Sequence, residues 1–190
     1  YQYRDDARRL MNETFDAALN LTRYRVEQEA ATYLVTMIQH RFENDVYLDS
    51  TVEAGARLID SGVRLLYVFL ATGRSAMCVG NFDVAKRIYE SVNFDDMDYV
   101  DKTLVARADL IQQQWEQEQE LREQEAREDR LPRAKMITTR GEVLIELYID
   151  QAPSTVANFI TLVEKGYYDG LDFYQVVDHL LALTGDENGD

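Results

Sequence analysis

Residues 140–190 read RGEVLIELYIDQAPSTVANFITLVEKGYYDGLDFYQVVDHLLALTGDENGD, and this stretch decides the fold of the C-terminal part of the chain. Val143, Ile145, Leu147 and Ile149 alternate with Glu142, Leu144, Glu146 and Tyr148. A period of two predicts a strand with one buried face. The apolar-rich run at 134–139 lies just upstream, and Arg140-Gly141 marks the turn of a hairpin between the two. Ala152-Pro153-Ser154 then opens a helix, since proline is tolerated in the first turn, where its missing N–H has no partner to lose. Val156, Phe159, Ile160 and Val163 recur at helical spacing, and Gly166 is placed to cap the C-terminus. Two further short strands are predicted at 173–177 and 180–183, with tight turns at Gly185-Asp186 and Gly189-Asp190.

The order strand, hairpin, strand, helix, strand resembles the opening of a cyclophilin-type peptidyl-prolyl isomerase. The resemblance is carried by Gly141-Glu142, Ala152-Pro153-x-x-Val156-x-Asn158-Phe159, Gly166-Tyr167-Tyr168, Phe173-Tyr174-Gln175-Val176 and Thr184-Gly185-Asp186-x-x-Gly189-Asp190. It covers about the last 57 residues and only the first part of a barrel. It implies an activity on X–Pro bonds, whose rotation is slow because amide resonance imposes a barrier of about 18–20 kcal/mol. In the family a proline ring sits in an apolar pocket, and an arginine beside it donates hydrogen bonds to the twisted amide. That is electrostatic complementarity to a transition state, with no covalent step.

The sequence departs from the family where that arginine is expected. The family's Phe-His-Arg reads Phe173-Tyr174-Gln175, and its Phe-Met-x-Gln reads Leu180-Leu181-Ala182-Leu183. By resemblance the catalytic positions are Gln175, Phe173 and Tyr174, and the substrate pocket takes Leu180, Leu181 and Leu183. Gln175 can donate a hydrogen bond but carries no charge, and charge-assisted bonds are roughly twice as strong as neutral ones. Phe173 is expected in the barrel core. The implied activity is therefore a weakened or lost isomerase, with proline-containing peptides or proteins as clients.

The chain has 190 residues, 46% hydrophobic, with 20 Lys and Arg against 35 Asp and Glu, a net charge of −15. This composition supports a packed core. The charge argues against nucleic acid, whose phosphates demand a basic footprint, and against anionic membrane surfaces. The longest apolar run, at 65–71, is too short to span a bilayer. The single cysteine, Cys78, excludes an internal disulfide and is expected to be a buried thiol. His40 and His179 have no clustered ligands at metal spacing, and no phosphate-cradling glycine loop occurs, so no metal or cofactor is expected. The chain opens at Tyr1 without an initiator Met. The expectation is a piece of a longer protein, with no compartment assigned.

Residues 4–131 contain no proline, and helical periodicity dominates. Leu10, Phe15, Ala18 and Leu19 predict one helix. Tyr33, Leu34, Met37, Ile38 and Phe42 predict a second, and Val52, Ala54, Leu58 and Ile59 a further short apolar face. The clearest pattern is Phe69-x-x-x-Gly73-x-x-Ala76-x-x-x-Gly80-x-Phe82-x-x-Ala85-x-x-x-Tyr89-x-x-Val92, which resembles one tetratricopeptide repeat. Small residues at Gly73, Ala76 and Ala85 would let two helices approach closely, with Gly80-Asn81 as the turn. From about Asp96 to Asp129 one long helix is expected, polar all round after Trp115 and ended by Leu131-Pro132.

The expected class is therefore α+β. A tetratricopeptide-like helical domain at 1–95 and a long polar connector helix at 96–132 precede the partial β-barrel of a cyclophilin-like domain at 133–190. Two functions stand against each other. One is a folding enzyme whose helices hold a protein partner. The other is a non-catalytic peptide-binding or scaffold protein using the helical repeats.

Overall fold

The computed structural model describes residues 2–23, 27–177 and 181–188. The chain divides into two compact units, 1–116 and 117–190. Unit 1 is all helical. It contains α1 (Gln2–Leu21), α2 (Gln28–Glu43), α3 (Asp49–Asp60), α4 (Leu66–Cys78), α5 (Phe82–Glu90), a single 3-10 turn at Phe94–Asp96, α6 (Tyr99–Ala106) and the first part of α7 (Ala108–Glu128).

The core of unit 1 follows from helical spacing. Phe15, Ala18 and Leu19 of α1 meet Leu34, Met37 and Ile38 of α2 and Ala54 and Leu58 of α3. Phe15, Leu34, Ile38 and Leu58 are wholly buried, and each such side chain contributes about 1.5–3 kcal/mol relative to exposure. Leu10, also counted in the first helical face, is exposed instead. The α4 helix runs through the middle: every residue from Val68 to Met77 is buried. Its last residue, Cys78, is exposed. The expectation of a buried thiol is thus corrected, because the all-round burial of α4 ends one residue short of it.

The close approach of α4 and α5 rests on glycine. A Cβ on Gly73 would lie 2.7 Å from Cζ of Tyr89, so only the missing side chain lets the ring lie against the helix. The turn between them uses Gly80 at φ +78°, a left-handed conformation that glycine adopts without a Cβ clash. Asn81 then caps α5 by accepting a hydrogen bond from the Val84 N–H. A second close contact joins α3 to α4. A Cβ on Gly55 of α3 would lie 1.9 Å from Oγ1 of Thr72 of α4.

The single long helix expected from Asp96 to Asp129 is two helices. Residues Phe94–Asp96 form the 3-10 turn, Asp98 caps α6 by accepting from the Asp101 N–H, and Arg107 interrupts the helix at φ −113°, ψ 6°. Leu104 and Val105 on one side of the break, and Ala108 and Ile111 on the other, pack against the same apolar cluster. Tertiary packing thus bends a stretch with no local helix breaker.

Unit 2 contains the rest of α7, then β1 (Arg133–Thr138), β2 (Gly141–Glu146), α8 (Pro153–Glu164), β3 (Gln175–Val177) and β4 (Leu181–Leu183). The strands form two separate antiparallel pairs, β1 with β2 and β3 with β4; among the described residues they do not close into a barrel. Gly141 stands at φ +137° in the hairpin turn, and Pro153 sits in the first turn of α8. The expected inner face of β2 is only partly covered: Ile145 and Leu147 are half-buried, while Val143 and Ile149 are 50% and 37% exposed. Among the described apolar residues of unit 2, only Leu131 and Val156 are buried.

Candidate functional site

The residues singled out for catalysis lie at and just before β3. Gln175 is the first residue of β3 and is exposed. Its partner in the ladder is Leu183 of β4, with Val176 opposite Ala182 and Val177 opposite Leu181. Directly opposed residues share a face of the sheet, and alternate residues return to it. Gln175, Val177, Leu181 and Leu183 therefore lie on one face, and all are exposed. Two of the three expected pocket positions, Leu181 and Leu183, are thus brought beside Gln175. The third, Leu180, lies outside the described residues, as do His179, Gly189 and Asp190.

Phe173 and Tyr174 precede β3 in irregular backbone. Phe173 is 42% exposed and does not take the core position expected of it, because no packed barrel interior forms among the described residues to receive it. Tyr174 turns to a different feature, a cleft of about 240 Å³ lined also by Gly170, Leu171, Asp172, Asp186, Glu187 and Asn188. Gln175, Leu181 and Leu183 do not line this cleft. The sheet face and the cleft are therefore separate features, the first mostly apolar around one amide, the second carrying the three carboxyl side chains of Asp172, Asp186 and Glu187.

Local packing fixes the two strands. Oγ1 of Thr184 donates to the Asp172 carbonyl at 3.0 Å, tying the exit of β4 to the approach of β3. Tyr168 stacks with Phe159 of α8 at 5.3 Å between ring centroids and meets Tyr167 edge-on at 5.1 Å. A Cβ on Gly185 would touch Tyr168 at 3.5 Å. The quoted Gly166-Tyr167-Tyr168 and Thr184-Gly185 pieces thus converge on one aromatic cluster. Nearer α7, the Gln151 side-chain amide donates to Glu125 at 3.2 Å, and the Arg122 guanidinium lies over the Tyr148 ring at 4.1 Å.

Unit 1 holds an ionic cluster that sequence reading missed. Arg74 of α4 donates from Nε and Nη2 to the two carboxylate oxygens of Asp101, at 2.8 and 2.7 Å, and also pairs with Asp98. The Tyr89 hydroxyl donates to the same Asp101 at 2.8 Å. Asp101 is wholly buried and Arg74 is 8% exposed. The hydrogen bonds to Asp101 raise the Arg74 pKa, while burial opposes them. Burial, and then the negative charge of Asp101, pushes the Tyr89 phenol far above its ordinary value. The available signal was the spacing Asp98-x-x-Asp101, a helix-start pattern that places α6 at Tyr99 and turns Asp101 inward. We assign this cluster to holding α4, α5 and α6 together.

A second buried arginine, Arg41, lies 3.7 Å above the Phe15 ring and donates to Ser50, Thr51 and Asn12. Burial lowers its pKa. Among the described residues no group of three or more His, Cys, Asp or Glu is arranged to hold a metal ion, and no helix is long and apolar enough to cross a membrane.

Residues 133–190 match the family model described as cyclophilin type peptidyl-prolyl cis-trans isomerase/CLD. Over 52 residues the chain is 46% identical to "Peptidyl-prolyl cis-trans isomerase ppi1" of Schizosaccharomyces pombe, covering 27% of this chain and 34% of that protein. It is 42% identical over 52 residues to "Peptidyl-prolyl cis-trans isomerase-like 1" of Gibberella zeae, covering 27% and 32%. It is 38% identical over 58 residues to a "Putative bifunctional phosphatase/peptidyl-prolyl cis-trans isomerase" of Streptococcus pyogenes serotype M6, covering 30% and 12%. The chain thus spans about a third or less of the length of these relatives. No solved structure matches the chain. Residues 133–190, which hold the hairpin, the Pro153 helix and the β3–β4 pair, are thus similar to part of the cyclophilin-type peptidyl-prolyl cis-trans isomerase family.

Proposed function

We propose that this protein binds proline-containing segments of other proteins through its cyclophilin-type segment and isomerises them poorly or not at all. The family match supports the substrate class. The observation that carries the loss of turnover is the character of the β3–β4 face, where the amide of Gln175 stands opposite the apolar side chain of Leu183. By resemblance, a guanidinium at the first position and an amide at the second would both donate to a twisted X–Pro amide. Here one neutral donor remains. A neutral hydrogen bond contributes about 0.5–1.5 kcal/mol and one to a charged group about 1.5–3. The transition state therefore loses more stabilisation than the ground-state complex, which needs only an apolar face for the ring.

The same reading divides the chain into a tetratricopeptide-like helical domain at 1–95, a connector at 96–132 and the cyclophilin-type segment from 133. The helical part holds a protein partner while the β strands engage proline. The hairpin of α4 and α5, closed on Gly73 and Tyr89, supports a repeat-like unit.

The test uses the full-length gene product and a short X–Pro peptide. Line shifts at residues 173–183 in a peptide titration, with cis–trans exchange left near its uncatalysed rate, would bear the proposal out. Rapid exchange at catalytic protein concentrations, or no binding up to millimolar peptide, would overturn it.

A further inference from the structure

Unit 1 carries an open groove of about 430 Å³, lined by Asp49 of α3, the 79–83 turn between α4 and α5, and Gln112, Trp115 and Glu116 of α7. Three features make it more than a surface dent. Its wall is aromatic: Phe82 meets Trp115 edge-on, with ring centroids 6.2 Å apart. Its floor depends on a glycine, because a Cβ on Gly80 would lie 2.5 Å from Cε2 of Trp115. Its charge is one-sided. Asp49, Asp83 and Glu116 line it and no Lys or Arg does; Glu116 accepts a hydrogen bond from the Gln112 amide at 2.8 Å, and among the ion pairs between described residues none engages these three. Elsewhere in unit 1 an aromatic ring beside an arginine is filled from within, as Arg41 fills the face of Phe15.

We infer that this groove binds an arginine side chain presented by a partner polypeptide. A guanidinium is planar, stacks on indole and phenyl faces, and donates in a fork that suits carboxylates. Asp49, Asp83 and Glu116 favour a cationic occupant over a neutral or acidic one by charge complementarity. The volume accommodates the side chain together with the flanking backbone. The net charge of −15 draws such a partner in and repels acidic ones. This inference does not depend on the activity of the cyclophilin-type segment.

Trp115 is the only tryptophan in the chain, so its emission reports on the groove directly. The experiment titrates the intact protein with a capped Gly-Gly-Arg-Gly-Gly peptide and with the same peptide carrying citrulline, which keeps the shape and removes the charge. The expected result is a saturable change in Trp115 emission with the arginine peptide. At least fivefold weaker binding is expected for citrulline, and also for the Asp49→Asn/Asp83→Asn variant. Equal titration by both peptides, or no change up to millimolar arginine peptide, would overturn the inference. If the double variant loses its helical circular dichroism, the comparison of the two peptides on the unmodified protein decides alone.

Discussion

Gln175 and Leu183 are direct cross-strand partners on one exposed face of the β3–β4 pair. An antiparallel register fixes which residues share a face, so two positions eight apart in sequence become neighbours with a single environment. Both side chains are solvent-accessible, and neither holds up a core. Gln175→Arg is therefore expected to change stability by no more than about 0.5 kcal/mol, the usual range for surface substitutions. Superimposable thermal unfolding curves for the two proteins would check this.

Gly73→Ala should destabilise unit 1, although alanine is the better helix former by about 1 kcal/mol. The added methyl would meet Tyr89 ring atoms at 2.7 to 3.1 Å, and the ring is pinned by its bond to Asp101. Overpacking of this kind costs about 1–3 kcal/mol, which exceeds the propensity gain over most of that range. A lower urea midpoint is expected; an unchanged or higher one would show that the α4–α5 contact relaxes freely.

Asp101→Asn removes the buried charge that Arg74 faces. Breaking one side of a buried pair costs about 3–5 kcal/mol, and the remaining pairing of Arg74 with Asp98 favours the lower end. Urea unfolding monitored by helical circular dichroism measures the loss. A change under about 1 kcal/mol would mean that Arg74 is compensated without Asp101.

The Tyr89 phenol gives unit 1 an alkaline limit. Its pKa is raised in the folded state by burial and by Asp101, so above the ordinary value of about 10 the unfolded chain loses this proton while the folded one keeps it. Stability is therefore complete below pH 10 and falls above it, by up to about 1.4 kcal/mol per pH unit. Urea midpoints at pH 9 and 11 should fall more steeply for the wild type than for Tyr89→Phe. On the acid side the sign reverses at Asp98. Burial alone would raise its pKa, but hydrogen bonds from the Asp101 N–H and Arg74 lower it on balance. Its contribution is present above the ordinary carboxylate range and disappears as pH falls through the folded value.

Local signals carried much of this fold. The Gly73, Gly80, Ala85 and Tyr89 spacing located the α4–α5 hairpin, and Gly141 and Pro153 located a turn and a helix start, because each constraint acts within a few residues. What escaped depends on distant groups. Nothing near Arg107 forecasts the break between α6 and α7. Gly55 shows its purpose only once Thr72 packs against it, and Arg74 only once Asp101 is folded beside it. The β2 alternation predicts the strand that forms at 141–146, but of its expected inner face only Ile145 and Leu147 are half-buried, since full burial requires a covering layer that periodicity alone does not supply. At the candidate site, family spacing picked out Gln175 and Leu183. Their pairing, and the separation of Tyr174 into the acidic cleft, needed the register.

The most direct measurement of the central claim is a protease-coupled X–Pro isomerisation assay on the full-length protein and its Gln175→Arg variant. Restoring a charged donor should lower the barrier by about 1.4 kcal/mol or more, a rise in kcat/KM of about tenfold. An unchanged rate in a variant that remains folded and still binds the peptide would contradict the assignment of Gln175 as the weakened catalytic position.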